Sequence, residues 1–344
     1  RVFQFAGSAS WAGQAGDGGP ATEAQLRQPT ALALSPTGVL YFSDNSGTRI
    51  RRVGLDGRVE AVMGAPVPGD PGLCAVAESA PLRRVDALLV WDRTLLFSDG
   101  LRIQQIALLQ GASSGQPPAV PSDGVVHAGS FEQKIGPGVL FSIFGERLAA
   151  GEMAAPGAPW PNYLGSTAAC LDGYPVPLFY TNTGQLNGQA HYSIRTGQTG
   201  YLRVFTAAGV SPPVPVNLTP TSPGVFQYGD ARAIAVNPDG RVNGPNAPAS
   251  PGQVVVVYLS GTGALDRAVP TGEVAPATPL SRPRTAVAAT INGQPALMYY
   301  LGLTPGFIGL AQANVEIPNL PSGDYDLVFT IGGVSSKPVK ISIR

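Results

Sequence analysis

Charge is what this chain has least of. Asp, Glu, Lys and Arg make up only 13% of its 344 residues, 22 of each sign, so the formal net charge is zero and no basic run stands out. Nucleic acid or an anionic membrane surface would call for such an electrostatic footprint, and neither is an expected partner. Histidine is scarcer still, with His127 and His191 alone. A Ser-His-Asp triad or a histidine metal site is hard to build from two residues in different parts of the chain. No Gly-x-Ser-x-Gly, His-Glu-x-x-His or Cys-x-x-Cys motif occurs either, which also excludes haem attachment. The expectation is a non-catalytic protein with no cofactor and no metal. The longest apolar runs, such as Val254 to Leu259, are strand-sized and far below the roughly 20 residues of a membrane helix, so membrane insertion is not expected.

Two cysteines, Cys74 and Cys170, are too few for a disulfide framework. They fall in different predicted domains and could form one bridge, with separate buried thiols as the simpler reading. What the chain has in quantity is 44 Gly and 34 Pro, the punctuation of many short strands and turns. Apart from Leu73 to Leu89, no window sustains a 3.6-residue apolar period with caps, so the predicted fold class is all-β.

The amino-terminal region carries the strongest pattern. Gly16-Asp-Gly-Gly-Pro-Ala-Thr-Glu-Ala-Gln-Leu26 is followed by Pro29-Thr-Ala-Leu-Ala-Leu34, by Leu40-Tyr-Phe-Ser-Asp44 and by Arg49-Ile-Arg-Arg-Val53. Asp56-Gly57, the favoured turn of a two-residue hairpin, joins this last run to Arg58 through Met63, so the segment reads as an antiparallel meander. A second, worn copy follows: Leu96-Phe-Ser-Asp99 repeats Tyr41-Phe-Ser-Asp44, Ile103 and Ile106 repeat Ile50 and Val53, and Gly69-Asp70 stands where Gly16-Asp17 stood. The opening Arg1-Val-Phe-Gln-Phe-Ala-Gly7 matches Arg58 to Gly64, the last strand of such a unit without its earlier strands. These motifs resemble NHL repeats, the blades of a β-propeller, and the resemblance implies a partial propeller of about two blades over residues 1–109. Propellers close at about 4 to 8 blades, and an open array leaves unpaired edges. The expectation is therefore that further blades lie upstream, or that another domain or subunit covers the edge at Val2, Phe3, Gln4 and Phe5. Val339, Lys340 and Ile341, in an alternating strand near the other terminus, are the second candidate assembly edge.

A Pro/Gly/Ser-rich stretch, residues 110–124, reads as a linker. Beyond it the chain is internally duplicated. Gly136 to Phe144 corresponds to Ser250 to Tyr258, Leu171 to Tyr180 to Ile291 to Tyr300, and Phe205 to Ser211 to Phe329 to Ser335. Two modules, 125–228 and 229–344, are predicted as tandem β-sandwiches of immunoglobulin-like type. The pattern Ala128-Gly-Ser-Phe131, Pro137-Gly138, Ser142-Ile-Phe-Gly145, Pro175 to Tyr180 and Gly332-Gly-Val-Ser-Ser336 resembles an uncharacterised immunoglobulin-like C-terminal domain family of secreted soil-bacterial proteins of acidobacterial type. That resemblance implies secretion and no particular activity.

Candidate sites are few. Asp17, Asp44, Asp99, Asp239, Asp324 and Asp326 are the carboxylates of a type that could pair for glycoside hydrolysis, yet each has a simpler place in a turn, at a strand end or on a solvent face. Gly16 to Gly19 lacks the acidic spacing of a calcium loop and the Gly-Lys of a phosphate loop. Phe179-Tyr180 and Tyr299-Tyr300 could form sugar-stacking platforms, with one ring in the core and one at the surface as the simpler reading. Two functions remain: an extracellular or cell-surface interaction protein that binds protein partners, including itself, through sheet edges and propeller faces, in one form as a subunit of a fibre; or a polysaccharide-binding or hydrolysing protein using the propeller face.

Overall fold

The computed structural model describes residues 2–8, 12–13, 15–44, 46–64, 82, 84–91, 94–98, 103–107 and 116–344. Among them the regular structure is β, with one 3-10 turn at Ala21–Glu23. The chain divides into two compact units, Arg1–Gly111 and Ala112–Arg344.

The first unit holds two antiparallel sheets. Leu32–Leu34, Leu40–Asp44, Arg49–Val53 and Val59–Met63 form a four-stranded meander in that order, and Ala87–Trp91, Thr94–Ser98 and Ile103–Ala107 form a three-stranded one. Gly57, at φ 73°, makes the predicted turn between the third and fourth strands, in a left-handed conformation that glycine adopts at no steric cost. Side chains alternate, so each sheet has two faces. Ala33, Tyr41, Ile50 and Met63 point one way from the first sheet and pack against Leu88, Val90, Leu95, Phe97 and Ile106 of the second. Thr30 Oγ1 also donates to the Val85 carbonyl, 3.2 Å away, across this junction. On the other face of the first sheet, Phe42, Val53 and Val59 are covered by Ala21, Ala24 and Leu26. Among the described residues these two sheets do not make a closed propeller of four to eight blades.

The second unit contains two β-sandwiches whose strand orders correspond. In the first, Lys134–Ile135 lies parallel to Val214–Leu218, which pairs in turn with Gln198–Thr206, Thr167–Leu171 and Tyr174–Pro175. In the second, Arg232–Ala233 lies parallel to Val339–Ile343, followed by Gly323–Ile331, Val287–Ile291 and Gln294–Ala296. Facing sheets repeat the match: Leu178–Thr181, Gln185–Gln189 and Leu140–Phe144 in one, Met298–Leu303, Ala311–Glu316 and Val254–Ser260 in the other. Even the irregularities coincide, with register shifts at Leu178/Tyr180 and Met298/Tyr300. The Asp172-Gly173 and Asn292-Gly293 hairpin turns both carry positive φ at all four residues. Each sandwich closes its own core, one built on Phe141, Leu171, Leu186 and Val204, the other on Val257, Ile291, Ala313 and Phe329.

Several expectations change here. Val339, Lys340 and Ile341 do not form a free edge, because Val339–Ile343 is paired on both sides: with Gly323–Ile331, and through Lys340 N–H to the Ala231 carbonyl (2.8 Å) and Ala249 N–H to the Ser342 carbonyl (3.0 Å). Residues 2–6 form no strand with the rest of the chain, since the sheet they were expected to join is absent from the described residues. The described part of the expected linker, residues 116–124, is tied to the first sandwich by two backbone bonds between Ala119 and Glu146. Cys170 is disulfide-bonded rather than a free thiol, while Cys74, Gly69-Asp70 and Asp99 lie outside the described residues.

The two sandwiches are joined by buried polar contacts. Gln189, buried, accepts from Gly272 N–H at 2.7 Å and donates to the Gly138 carbonyl at 3.3 Å. Ser260 Oγ accepts from Leu140 N–H at 3.0 Å and donates to the Gly309 carbonyl at 3.2 Å. His127, fully buried, takes Gly129 N–H on Nδ1 at 2.8 Å. A Cβ on Gly224 would stand 2.3 Å from the His127 ring.

Candidate functional site

Three places in the molecule gather chemistry. One is an ion-pair network around the Gly-rich turn. Gly16 and Gly18 have φ of 102° and 80°, which lets the turn bring the Asp17 carboxylate onto the first sheet. There it pairs with Arg49 and with Arg51 at 2.8 Å, and Arg51 also reaches Asp44 at 3.1 Å. Arg51 and Asp44 are fully buried, and the remaining donors and acceptors are used: Arg51 donates to the Gln25 carbonyl at 2.8 Å and Asp44 accepts from Arg27 N–H at 2.6 Å. Every charge is thus balanced and hydrogen-bonded, the condition for burying ions at all. This network ties the turn and the 3-10 segment to the sheet and offers no open position to a substrate. Sequence reasoning placed Asp17 and Asp44 singly in a turn and at a strand end and missed their shared partners. The missed signal was the register, which sets Asp44 opposite Arg49 and Arg51 opposite Phe42 on one face.

The remaining carboxylates are not brought together as a catalytic pair. Asp239 pairs with Arg241 in its own turn, and this bond holds its carboxyl below the usual range. Asp324, held at about 2 by the Arg232 guanidinium and the Ser342 hydroxyl, and Asp326, paired with Lys340 at 2.7 Å, lie along a sheet surface. Burial pushes His127 down to about 4, so it is neutral in the folded protein near pH 7. His191 stacks on Tyr174 at 4.6 Å, and burial lowers its pKa too. Among the described residues no group of three His, Cys, Asp or Glu is placed to hold a metal ion.

The second place is a shallow cleft of about 360 Å³ on the outer face of the second sandwich, lined by Leu280, Arg282, Tyr299, Tyr300, Pro305, Gln312 and Asn314. Tyr300, Gln312 and Asn314 share this face because Tyr300 opposes Asn314 and Gly302 opposes Gln312. Arg282 lies over the Tyr300 ring, 5.0 Å from its centre, and Gln312 donates to Asn314 at 3.2 Å. Tyr299 is exposed and donates to Glu316 at 2.5 Å. The first sandwich repeats part of this set, with Gln185 donating to Asn187 at 2.9 Å and Asn182 to the Tyr180 hydroxyl at 2.9 Å. Neither tyrosine of the Tyr299-Tyr300 pair is a core residue, which departs from the one-in, one-out expectation; the register shift beside them turns both rings outward.

The third place is an apolar sheet face. In the second sheet of the first unit, Leu89 opposes Leu96, Trp91 opposes Thr94, and Ile103 opposes Ser98, so all lie on the face turned away from the first sheet. Leu89, Trp91 and Ile103 are 57%, 71% and 80% exposed. Within the same unit Leu32 and Leu34 are 67% and 66% exposed on the opposite side of the first sheet, where Val2, Phe3 and Phe5 are exposed as well. Gln4 bonds to the Gly7 and Thr22 carbonyls and Gly7 N–H to the Ala21 carbonyl, which holds this leading segment beside the 3-10 turn.

No protein-family model and no curated protein matches the chain. Among solved structures it is similar to the Bacteroides ovatus mixed-linkage glucan utilization locus protein SGBP-B in complex with a mixed-linkage heptasaccharide, at 12% identity over 92% of this chain and 66% of that one, TM-score 0.29. It is also similar to domains 5–6 of the S-layer protein SbsC, at 11% identity over 66% and 98%, TM-score 0.22. The I9–I11 tandem from titin matches at 9% identity over 92% and 97%, TM-score 0.18. The chain spans less than two thirds of the first of these, and 48% of SGBP-B from a Bacteroides uniformis xyloglucan utilization locus. At such scores the fold rests on the sheet topology itself.

Proposed function

We propose that this is a non-catalytic interaction protein of the cell exterior, in which a body of two joined β-sandwiches accompanies a repeat-built β-unit that takes a protein partner on its apolar sheet face. The exposed face of Leu89, Trp91 and Ile103 carries the reading. Isolated exposed hydrophobes are ordinary, but three on one face of a sheet whose other face is a packed core mark a surface built for contact. Two further observations agree. Cys170 is disulfide-bonded, and such bonds persist in oxidising compartments. No helix among the described residues is long and apolar enough to cross a membrane. The propeller-type and immunoglobulin-like identities of the modules belong to this same proposal. The test is retention of surface-protein extract, and of the chain itself, on immobilised wild type and on a Trp91→Asp variant. Retention that depends on Trp91 is expected; equal retention by both, or none by either, overturns the reading.

A second reading is favoured by the cleft. Tyr299, Tyr300 and Arg282 offer stacking surface and Gln312 and Asn314 offer amide hydrogen bonds, the chemistry that recognises sugar rings and their hydroxyls. A glycan array read with wild type and Tyr299→Ala, together with a hydrolysis assay, decides it: binding lost in the variant supports a sugar site, and no binding by wild type removes it.

A further inference from the structure

The duplicated sandwiches share a set of polar side chains that lies outside both cores. In each copy a tyrosine just past the register shift opposes an asparagine, Tyr180 opposite Asn187 and Tyr300 opposite Asn314. Two positions before each asparagine stands a glutamine, Gln185 or Gln312, which donates to that asparagine at 2.9 Å in one copy and 3.2 Å in the other. Both pairs lie on an outer sheet face, since Leu186 and Ala313 between their members belong to the cores. The loops that join the two strands differ, 182–184 in one copy and 304–310 in the other, so the match is one of register and not of spacing.

Each glutamine–asparagine bond uses one amide nitrogen and one amide oxygen. It leaves one amide oxygen as acceptor and one amide nitrogen as donor, half-buried and with no other hydrogen-bond partner among the described residues. Exchanging O and N in both amides preserves that count. An acceptor beside a donor is what two adjacent hydroxyls of a sugar ring match, one donating while its neighbour accepts. Ring surface accompanies each pair: Trp160 and Phe179, centres 4.6 Å apart, in the first copy, and Tyr299 and Tyr300 in the second. So does a carboxylate, for Glu152 accepts from the Tyr180 hydroxyl at 3.2 Å and Glu316 from the Tyr299 hydroxyl at 2.5 Å, which disfavours an anionic ligand.

The two sets flank the junction between the sandwiches. Gln189 shares a face with Gln185 and Asn187, and it is the residue that bonds to Gly272. A Cβ on Gly309, in the loop that leads to Gln312, would stand 2.8 Å from Gln189 Nε2. Pro305 of the same loop lines the cleft. Pro305 and Gly309 are four positions apart, at most about 14 Å of extended chain, so the second set begins close to where the first one ends.

We infer that Tyr180, Gln185 and Asn187 form a second sugar subsite, and that one neutral linear polysaccharide is held at both sets at once. The inference rests on the sugar-binding reading of the cleft and names its ligand class. A single amide pair in an open cleft holds a sugar weakly. Two sets on one body make the second contact intramolecular, which raises the affinity for a repeating polymer by a factor on the order of 100 once it spans both.

Isothermal titration calorimetry on the whole chain with cellulose, xylan, mannan and galacturonan oligosaccharides, each as a size series from disaccharide to decasaccharide, tests this. Wild type is expected to bind a neutral series, with an abrupt gain of about 100-fold once the ligand reaches both subsites. Asn187→Asp and Asn314→Asp keep an oxygen for the glutamine to donate to and remove the open donor. Each is expected to abolish the gain, so that long and short oligosaccharides bind alike, and the double variant is expected to bind none. Should an aspartate variant misfold by circular dichroism, Gln185→Ala and Gln312→Ala carry the same readout. An Asn187→Asp variant that binds every length as wild type does, an affinity that does not rise with length, or binding confined to the galacturonan series overturns this inference. Short oligosaccharides that bind wild type and are lost in Asn314→Asp alone would leave the single-cleft reading standing while this inference falls; no binding of any series by wild type would sink both.

Discussion

The molecule contains two duplications, and they end differently. In the second unit each copy is a sandwich that buries two sheet faces against each other before it meets its neighbour, and the pair is joined at its surfaces, where Gln189 and Ser260 make buried polar contacts and Trp160 N–H donates to the Gly272 carbonyl. In the first unit each copy is a single sheet, which cannot bury both faces by itself; the copies share one core, the other face of the first sheet is largely covered by Ala21, Ala24 and Leu26, and the Leu89, Trp91 and Ile103 face of the second is exposed. The difference teaches that a module with its own core meets its copy through surface contacts, whereas a single sheet has to share its core with its neighbour.

The largest effect that sharpens this contrast is expected at Arg51. Arg51→Ala leaves Asp44 buried without its cation and should destabilise the first unit by about 3–5 kcal/mol in chemical denaturation, while the second unit's transition stays in place. Next comes acid. The His127 value falls from 6.5 to about 4 on folding, so the unfolded chain binds the extra proton between those limits. Stability contributed by neutral His127 is complete above pH 6.5 and is lost as pH falls toward 4, by about 3 kcal/mol in all. Urea midpoints for the second unit should drop over that window and flatten in His127→Gln; an unchanged slope in the variant would assign the loss to other groups.

Gln189→Ala leaves Gly272 N–H without its acceptor between the sandwiches and should cost about 1–3 kcal/mol. Ser211 and Ser336 make identical bonds in the two copies, accepting from Val204 and Phe329 N–H and donating to the Pro212 and Lys337 carbonyls. Replacing either with alanine should cost about the same, near 1 kcal/mol; a gap of several-fold between them would break the equivalence of the copies. The smallest effect on folding is expected at Trp91→Asp, within about 0.5 kcal/mol for an exposed site.

Much of this architecture is legible in the residues. Tyr41-Phe-Ser-Asp44 and Asp56-Gly57 fix a strand and a turn locally, and alternation says which side chains share a face. What escapes sequence reasoning depends on distant partners. Val339–Ile343 looks like an edge because the strand covering it, Arg232–Ala233, is two residues long, pairs in parallel and has no hydrophobic pattern of its own. Arg51 reads as one more solvent-facing arginine until register and the Gly16–Gly18 turn bring two carboxylates to it. The same holds for His127, whose burial is completed by Gly224 and Ser260, paired with each other in a sheet of the second sandwich although Gly224 precedes the expected boundary at 228, and both more than ninety positions away. Such residues carry no periodic signal, since the environment that defines them is assembled only after both copies have folded.

The close approach of Gly224 to His127 has a consequence for how this chain can change over time. Any side chain at 224 would strike the imidazole, so the glycine is free to vary only after the histidine has shrunk, and a histidine can arise at 127 only opposite glycine. The two positions should therefore drift as a pair, and among chains built from the same two sandwiches their joint presence or joint loss marks which ones share this junction.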